Sequence, residues 1–211
     1  MYVPAAFRES RPEALRHLVA LHPLALLVSQ GAEELVATHL PMLLSACDGP
    51  LLLRGHVARA NPHWEDLERS ARCMAVFRGE QGYVSPSWYP SKQQGGKVVP
   101  TWNYETAQAW GEARVVHDRE WLRALVRELT REQEHRRAHP WGIEDAPAPY
   151  IDSMLEAIVG IEIAVSRFEG KRKMSQNRPP ADRQGVASGL GDAADPHANP
   201  AMARIVGGHG D

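Results

Sequence analysis

Short apolar runs follow one another through the first 117 residues, and each run ends in glycine, proline or a cluster of polar residues. Runs of this length predict β-strands at 24–30, 35–44 and 51–57, with a hairpin between the first two and a turn at 48–50. The two longer amphipathic helices are predicted only after Asp118. This order differs from the alternating βαβ pattern of a parallel sheet. It favours a mainly β (α+β) fold, in which a largely antiparallel barrel carries peripheral helices.

The remaining segments extend this pattern. Further strands are predicted at 72–77, 83–85, 98–104, 108–117 and 160–168, with turns at 79–82 and 169–170. Helices are predicted after Ser10, within 62–70, after Asp118 and from Pro149. From Gly189 the apolar periodicity is almost lost. We therefore predict one domain over residues 1–190 and a disordered C-terminal tail over 191–211.

Composition narrows the class of protein. The chain has 211 residues, of which 43% are hydrophobic and 24% charged, as in ordinary soluble globular proteins. It contains no apolar run of membrane-spanning length, and its N-terminus lacks the apolar core of a secretory signal, so a cytoplasmic location is expected. A formal net charge of −2 shows no electrostatic footprint for nucleic acid. Cys47 and Cys73 are too few for a disulfide framework and are expected to be small apolar residues.

The segment from Tyr83 to Tyr104 combines two tryptophans, three tyrosines and two lysines with a bend rich in Ser, Gly and Gln. Aromatic side chains mixed with polar ones on a glycine-broken loop are typical of the walls of a pocket for a flat, polar-edged ligand. The same residues would also suit a long hairpin whose aromatic side chains cover the mouth of a barrel. Residue chemistry alone leaves both interpretations open.

Two shorter segments place polar side chains beside apolar runs. Residues 37–41 (Ala-Thr-His-Leu-Pro) form either a wall beside a planar ring or a strand with one exposed histidine, and Pro41 interrupts that strand or places it at an edge. Residues 55–62 carry Arg59 at the end of a strand, where it would either clamp a phosphate or lie on the surface. The polar residues 174–179 would either reach a ligand across a subunit interface or cap a helix.

Motifs for several other chemistries are absent from the sequence. It contains no GxxxxGK[ST], GxGxxG, GxSxG or HExxH pattern. His135 and His139 have the i, i+4 spacing of a helix, but they are interpreted as exposed residues at a helix end. No metal site and no catalytic acid, base or nucleophile is predicted.

Seven segments together resemble the PaiB family of FMN-binding negative transcriptional regulators. They are MYVPAAFRE, ATHLP, GHVARANPHW, YVSPSWYPSK, GKVVPTWNY, VGIEI and KMSQNRP. The resemblance runs from Met1 to about Leu190, and its most specific part is SPSWYPSK followed by VPTWNY. The basic run Lys171–Lys173 departs from the family pattern, since an aromatic residue and a leucine are commoner there.

The resemblance implies a split β-barrel related to pyridoxamine-phosphate oxidases, found as a homodimer with FMN in clefts between the subunits. It also implies the positions of the residues around the cofactor. Thr38, His39, Leu40 and Pro41 would border the isoalloxazine, and His56, Arg59 and Asn61 would lie near the phosphate or ribityl chain. The loop on the flavin side and the next strand would supply Tyr83, Ser85, Ser87, Trp88, Lys92, Lys97, Thr101, Trp102 and Asn103.

Three functions stay open at this point. The chain is expected to be a negative transcriptional regulator that senses redox state or a small ligand through its flavin. The alternatives are a flavin-dependent oxidoreductase, since flavin carries the redox step itself, and a cofactor-free dimeric scaffold. The acidic balance and the lack of a recognisable helix-turn-helix weaken direct DNA binding but leave it undecided.

Overall fold

The structure is a computed structural model that describes residues 1–45 and 51–208, so the turn predicted at 48–50 lies outside the described residues. In the described part, the strands are β1 (Arg8–Glu9), β2 (Leu24–Gln30), β3 (Leu35–Ser45), β4 (Leu52–Ala58), β5 (Arg72–Val84), β6 (Thr101–Val116) and β7 (Ile158–Lys173). The helices there are α1 (Pro12–Leu21), α2 (His63–Arg69), α3 (Arg119–Glu134), α4 (Ala148–Glu156), α5 (Pro180–Gly191) and α6 (Pro200–Val206). Short 3-10 helices lie at Ala5–Phe7, Pro86–Trp88, Pro90–Gln94 and Ile143–Asp145.

The strands form one sheet in the order β1-β7-β4-β3-β2-β5-β6, and β7 also pairs with β6. In the predicted β2–β3 hairpin, which is confirmed, Leu26 lies opposite His39. β4 pairs antiparallel with both β3 and β7, so that His56 lies opposite Gly160. The β7–β6 pairing returns the sheet onto itself, as a barrel requires. The predicted mainly β, antiparallel fold with peripheral helices is confirmed.

The chain packs as two compact units. Unit 1 comprises Met1–Leu18, Arg78–Ala107 and Glu169–Asp211, and unit 2 comprises Val19–Phe77 and Gln108–Phe168. The long strands β5, β6 and β7 contribute residues to both units. The single domain predicted over residues 1–190 is therefore shared between these two units.

The interior of unit 2 is built from alternating strand residues. Ile161 and Ile163 of β7 are fully buried, as the alternation at this strand predicted. Helix α3 packs its apolar stripe inward and buries Leu122 against Leu155 and neighbouring apolar residues. The helix begins where predicted, because the Asp118 carboxylate accepts a hydrogen bond from the Trp121 N–H at 2.7 Å.

Unit 1 ends in two packed helices rather than in a disordered tail. Met202 and Val206 of α6 are buried with Tyr89 and Leu190. The Asn199 side chain accepts a hydrogen bond from the Met202 N–H at 3.0 Å and so caps the helix. The prediction of disorder over 191–211 is wrong for α6, because two apolar side chains four residues apart share one helical face and are buried together.

Several strands are longer than predicted. β5 continues through the expected turn at 79–82, and β7 continues through the one at 169–170. The glycines in these segments permit close contacts instead of turns: a Cβ on Gly170 would lie 2.3 Å from the Leu15 side chain. The two strands predicted at 98–104 and 108–117 are a single strand, β6, which starts at Thr101.

Three features limit the chemistry of the described residues. None of the helices in 1–45 and 51–208 is long and apolar enough to cross a membrane. The same residues contain no group of three or more His, Cys, Asp or Glu side chains that could hold a metal ion. Cys73 is buried, and burial raises the pKa of its thiol to about 12, so the thiol stays protonated and acts as a small apolar side chain.

Candidate functional site

In unit 2, a hydrogen-bonded network joins residues from two of the segments that carry the family resemblance. The Thr38 hydroxyl lies 2.8 Å from His63 Nδ1, and the Asn61 amide donates to the same hydroxyl at 3.3 Å. On its other side, His63 Nε2 lies 2.8 Å from the Ser29 hydroxyl. The side-chain carbonyl of Asn61 also accepts a hydrogen bond from the His63 main-chain N–H at 3.0 Å. The fold therefore brings Thr38 and Asn61 together through a histidine that was not among the predicted site residues.

The ionisation state of His63 follows from its surroundings. The residue is fully buried at the start of α2, and burial lowers the pKa of its imidazole, while the nearby Asp66 carboxylate partly offsets this. A neutral imidazole has one N–H donor and one acceptor nitrogen. One tautomer donates to Thr38, which frees the Thr38 O–H to donate elsewhere, and the other accepts from Thr38. The tautomer of His63 therefore decides whether Thr38 can donate a hydrogen bond to a ligand.

The four predicted residues of β3 are divided between the two faces of the sheet. Leu40 is only 2% exposed and lies on the same face as Thr38, whereas His39 and Pro41 lie on the opposite, exposed face. That face of β2, β3 and β5, called the outer face below, is largely apolar. It also presents Leu24, Leu26, Val28, Ala37, Met74 and Val76.

Arg59 is anchored to the main chain at the end of α4. Its Nε donates to the Glu156 carbonyl at 2.7 Å, and one terminal nitrogen donates to the Ile158 carbonyl at 3.0 Å. The other terminal nitrogen lies 3.5 Å from His117 Nδ1. A guanidinium has five N–H donors, so these contacts hold the exposed group in place without using all of its donors.

One ring nitrogen of His56 is buried without a hydrogen bond. Its Nδ1 is buried and has no hydrogen-bond partner among the described residues. Opposite it on β7 is Gly160, where a Cβ would lie 2.3 Å from the ring of Trp121 on α3. The indole thus packs on the face of the sheet that carries His56, and burial lowers the pKa of the histidine.

The predicted residues of unit 1 include two aromatic side chains in contact, of which Trp102 is exposed and Tyr83 is half-buried. The Tyr83 ring lies 6.0 Å from that of Trp102 in an edge contact and 4.6 Å from that of His197. Trp102 is 55% exposed, although it lies in β6. Beside it, the Lys173 ammonium donates to the Thr101 hydroxyl and, at 2.7 Å, to the Trp102 carbonyl.

Asn103 faces the interior of unit 1. It is fully buried, and its amide donates to the Ser175 hydroxyl at 3.0 Å while its carbonyl accepts from that hydroxyl at 3.2 Å. Ser175 has a φ of +60°, in the left-handed region that non-glycine residues rarely adopt. This paired contact holds the segment after β7 against β6.

The loop after β5 is held by α5. The Trp88 ring packs on Gly189, where a Cβ would lie 2.4 Å from it, and Trp88 Nε1 donates to Asp195 at 3.3 Å. The buried Asp182 carboxylate accepts from the Ser91 N–H at 3.0 Å and from the Ser91 hydroxyl at 2.7 Å. These contacts give the aromatic segment a defined conformation.

The other polar residues predicted in this loop make few hydrogen bonds. The Ser85 hydroxyl accepts a hydrogen bond from the Ser87 N–H at 3.2 Å, which shapes the turn. Lys92 and Lys97 are exposed, and neither ammonium group has a hydrogen bond or ion pair with another described residue. They are available to a ligand or partner.

The predicted site residues thus fall into two sets. Thr38, His39, Leu40, Pro41, His56, Arg59 and Asn61 belong to unit 2, and the nine from Tyr83 to Asn103 belong to unit 1. Sequence reasoning missed His63, although it lies within the GHVARANPHW segment, directly after the Asn-Pro pair. It also missed Asp182, whose role depends on the contact of α5 with the loop.

The two buried histidines predict how stability depends on pH. Since burial lowers the pKa of both His56 and His63 below the usual value of 6.5, the unfolded chain takes up protons at a higher pH than the folded chain does. The free energy of unfolding should be highest above about pH 6.5 and decrease as the pH falls below it, by at most about 1.4 kcal/mol per pH unit for each histidine. Denaturant unfolding measured from about pH 8 to pH 5 tests this.

A variant of His56 and a control at another histidine test whether His56 contributes to this pH dependence. His56→Gln should flatten the decrease, because the glutamine does not titrate. His17→Gln, at an exposed position of α1, should leave the slope unchanged. If His56→Gln and the original chain lost stability with the same slope, His56 would not contribute to the pH dependence.

Comparison with known proteins agrees with this fold. A family model described as "Putative FMN-binding domain" matches residues 1–167. The chain is 34% identical to an uncharacterised protein of Emericella nidulans, with 90% of each chain covered. It is 29% identical to "Protease synthase and sporulation protein PAI 2" of Bacillus subtilis, covering 94% of this chain and 93% of that one.

Among solved structures, the FAD and heme binding protein from Mycobacterium smegmatis has a similar fold, with a TM-score of 0.55 and 17% sequence identity. The match covers 79% of this chain and 73% of that one. At this identity the likeness concerns the fold alone, and it agrees with the split barrel that the resemblance implied. Because the family model covers most of the sequence, from residue 1 to residue 167, the chain belongs to the PaiB family of flavin-binding split-barrel proteins.

Proposed function

We propose that this chain binds FMN as a homodimer and acts as a negative regulator of transcription whose state depends on the flavin. The observation that carries the proposal is the Thr38–His63–Asn61 network, since it joins two of the family segments around a hydroxyl whose donor capacity is controlled by one buried histidine. The family match supports a flavin ligand.

The residues present are compatible with a flavin. An isoalloxazine needs an apolar or stacking wall together with hydrogen bonds at its polar edges. The outer face beside His39 and Pro41 supplies apolar surface, whereas the Thr38 hydroxyl lies on the opposite face of β3 and is a separate polar group for an edge of the ring. His56 Nδ1 is a buried polar atom that still lacks a partner. When bound, the flavin would supply reversible electron transfer, and these side chains would bind and orient its ring.

Arg59 is the residue of unit 2 that we propose for the flavin phosphate. Two main-chain carbonyls hold its guanidinium, and the remaining donors suit the bidentate recognition of a phosphate. Anchoring a guanidinium before binding reduces the entropy lost when it contacts an anion. Truncation of Arg59 should therefore weaken FMN more than riboflavin, which lacks the phosphate.

The outer face also supports the proposed homodimer. Leu24 is 60% exposed and Leu35 is 70% exposed, and each has an outward apolar neighbour two residues along its strand, Leu26 and Ala37. A second copy would cover this surface, which is costly to leave in water. A net charge of −2 makes strong, direct DNA binding unfavourable. We therefore propose that the protein regulates transcription through another protein or through the state of its flavin.

A visible absorption titration of the purified protein with FMN, followed by gel filtration, tests the proposal. We expect a shift of the flavin bands, quenched flavin fluorescence at micromolar protein, and elution as a dimer. Arg59→Ala should lower the affinity for FMN more than that for riboflavin. Equal losses for both ligands would contradict the role given to Arg59.

Other outcomes would favour the alternative functions. If flavin absorption and fluorescence stayed unchanged at micromolar protein, the cofactor-free scaffold would replace the proposal. Rapid turnover of NAD(P)H with an acceptor would favour a flavin-dependent oxidoreductase. Salt-sensitive, sequence-specific binding to an operator by the pure protein would establish direct DNA contact.

A further inference from the structure

The end of β7 in unit 1 carries two lysines on one face of the strand. Lys171 and Lys173 are two residues apart, so their side chains point to the same side of the sheet. The Lys171 ammonium donates to the Tyr2 carbonyl at 3.2 Å and lies 5.2 Å from the centre of the Tyr104 ring. That of Lys173 donates to the Thr101 hydroxyl and the Trp102 carbonyl. Each ammonium has three donors, so at least one on each lysine is left for a ligand.

These two cations are not neutralised by the protein. Neither ammonium forms an ion pair with a carboxylate among the described residues. Arg172, which lies between them, pairs instead with Glu105 at 3.0 Å. Burial, followed by repulsion from Lys171 and Arg178, lowers the pKa of Lys173. A partly buried lysine near other cations is unfavourable on its own, and a bound anion would relieve that repulsion.

The surface next to the lysines is aromatic. Trp102 is 55% exposed, and it contacts Tyr83, which contacts His197 in turn. The exposed Trp102 ring offers a flat face on which a planar ligand can stack. Cations beside an aromatic surface suit a ligand that has both a phosphate and a ring system.

Two other interpretations are weaker. Lysines that merely cap main-chain carbonyls would explain the hydrogen bonds, but not the partly buried, repelling cations. A nucleic acid strand would also stack on aromatic side chains, but such sites follow a basic groove along several nucleotides. Here the cations are confined to the end of β7 and the short segment after it, and the chain as a whole is slightly acidic. A small phosphorylated ligand agrees better with both observations.

We propose that Lys171, Lys173 and the exposed ring of Trp102 form a binding site for a phosphate-bearing ligand that contains a planar ring. The phosphate has two possible sources: a second nucleotide such as a dinucleotide reductant, or the flavin itself, in which case these lysines would replace Arg59 as the phosphate partner. The flavin source rests on the proposed function, whereas the nucleotide source does not.

Paired ligands that differ only in a phosphate test this site. Titration calorimetry would compare FMN with riboflavin and NADPH with NADH, for the original protein and for the double variant Lys171→Gln, Lys173→Gln. Inorganic phosphate would serve as a competitor. We expect the double variant to lose about tenfold or more in affinity for at least one phosphorylated ligand, since each lysine contributes a charge-assisted hydrogen bond. The member of that pair that lacks the extra phosphate monoester should change less than twofold.

Arg183→Gln, at an exposed position of α5, is the matched control, because it removes one positive charge from unit 1 away from the proposed site. Lys173→Arg keeps the charge and should retain most of the affinity, which also guards against a folding defect in the double variant. A selective loss for FMN identifies the flavin phosphate, and a selective loss for NADPH identifies a second nucleotide.

The proposal would be overturned if the double variant bound every phosphorylated ligand and inorganic phosphate as the original protein does. It would also be overturned if Arg183→Gln caused the same loss as the double variant, since the effect would then reflect net charge. Failure of FMN to bind the original protein would remove the proposed function, while NADPH and inorganic phosphate would still test the lysine site.

Discussion

Replacing Gly185 with alanine should destabilise unit 1 by roughly 3 kcal/mol, the upper end of what forcing extra atoms into a packed interior costs. Gly185 lies in α5, where a Cβ would be 1.9 Å from the Trp88 carbonyl oxygen and 3.1 Å from the Pro90 ring. The first of these atoms belongs to the main chain, so rotation of a side chain cannot relieve the clash. Either α5 or the loop at 86–94 must move.

Denaturant unfolding of Gly185→Ala measures this effect, and the same helix provides the control. At Gly191 the nearest atom to an added Cβ would be 3.8 Å away, which is ordinary contact. Gly191→Ala should therefore be neutral or stabilising by up to about 1 kcal/mol, because alanine favours the helix and restricts the unfolded chain. Equal stability of the two variants would show that α5 does not pack on Trp88 as described.

Replacing His63 with leucine should cost roughly 3 kcal/mol of stability. The imidazole is fully buried and bonded to the hydroxyls of Ser29 and Thr38, and leucine keeps apolar bulk without either hydrogen bond. Leaving the buried Ser29 hydroxyl without its partner costs about 1–3 kcal/mol, and the half-buried Thr38 hydroxyl keeps only its hydrogen bond from the Asn61 amide. If the proposed function is right, the variant should also bind FMN and riboflavin more weakly and by a similar factor, because Thr38 is assigned to the ring rather than the phosphate.

His17→Leu is the control for this variant, since His17 is exposed on α1. Thermal unfolding together with flavin titration gives both results on the same samples. An unchanged unfolding temperature for His63→Leu would contradict the hydrogen-bonded network. Normal stability combined with weakened flavin binding would instead place His63 in direct contact with the ligand.

Local sequence patterns predicted much of unit 2. The strand at Leu24–Gln30 and the hairpin with β3 agree with the alternation of apolar residues and the glycine after the first strand. Asp118 was predicted as a helix cap and is one. These features depend on neighbours within a few residues, so the chain itself contains the information.

Predictions that depended on distant partners were less successful. The glycines at 79, 82 and 170 were interpreted as turns, but all three lie within long strands, and Gly79 and Gly170 permit close contacts with other elements. The helix α6 was missed because its surroundings are rich in small and polar residues. Its apolar side chains become significant only when Tyr89 and Leu190 are present to bury them.

In the candidate site, too, local motifs were predicted from the sequence and long-range contacts were not. The motifs selected sixteen residues, and the fold joins Thr38 to Asn61 through His63, a contact that spans 25 residues of sequence between Thr38 and His63. No spacing rule predicts such a contact. Leu40 was selected with its neighbours, but the alternation of side chains along β3 directs it into the interior, where it is 2% exposed.

The sequence by itself determined the family, the mainly β antiparallel class and the segments from which a flavin site would be built, because these depend on short-range patterns and on specific motifs. Only the tertiary structure decided which side chains of those segments face a ligand, which are buried, and which partners hold them. The reason is physical: exposure, hydrogen bonding and the pKa of a side chain depend on atoms brought close by folding. His63 and Lys173 are ordinary residues in the sequence, and their buried network and unpaired charge exist only in the folded chain.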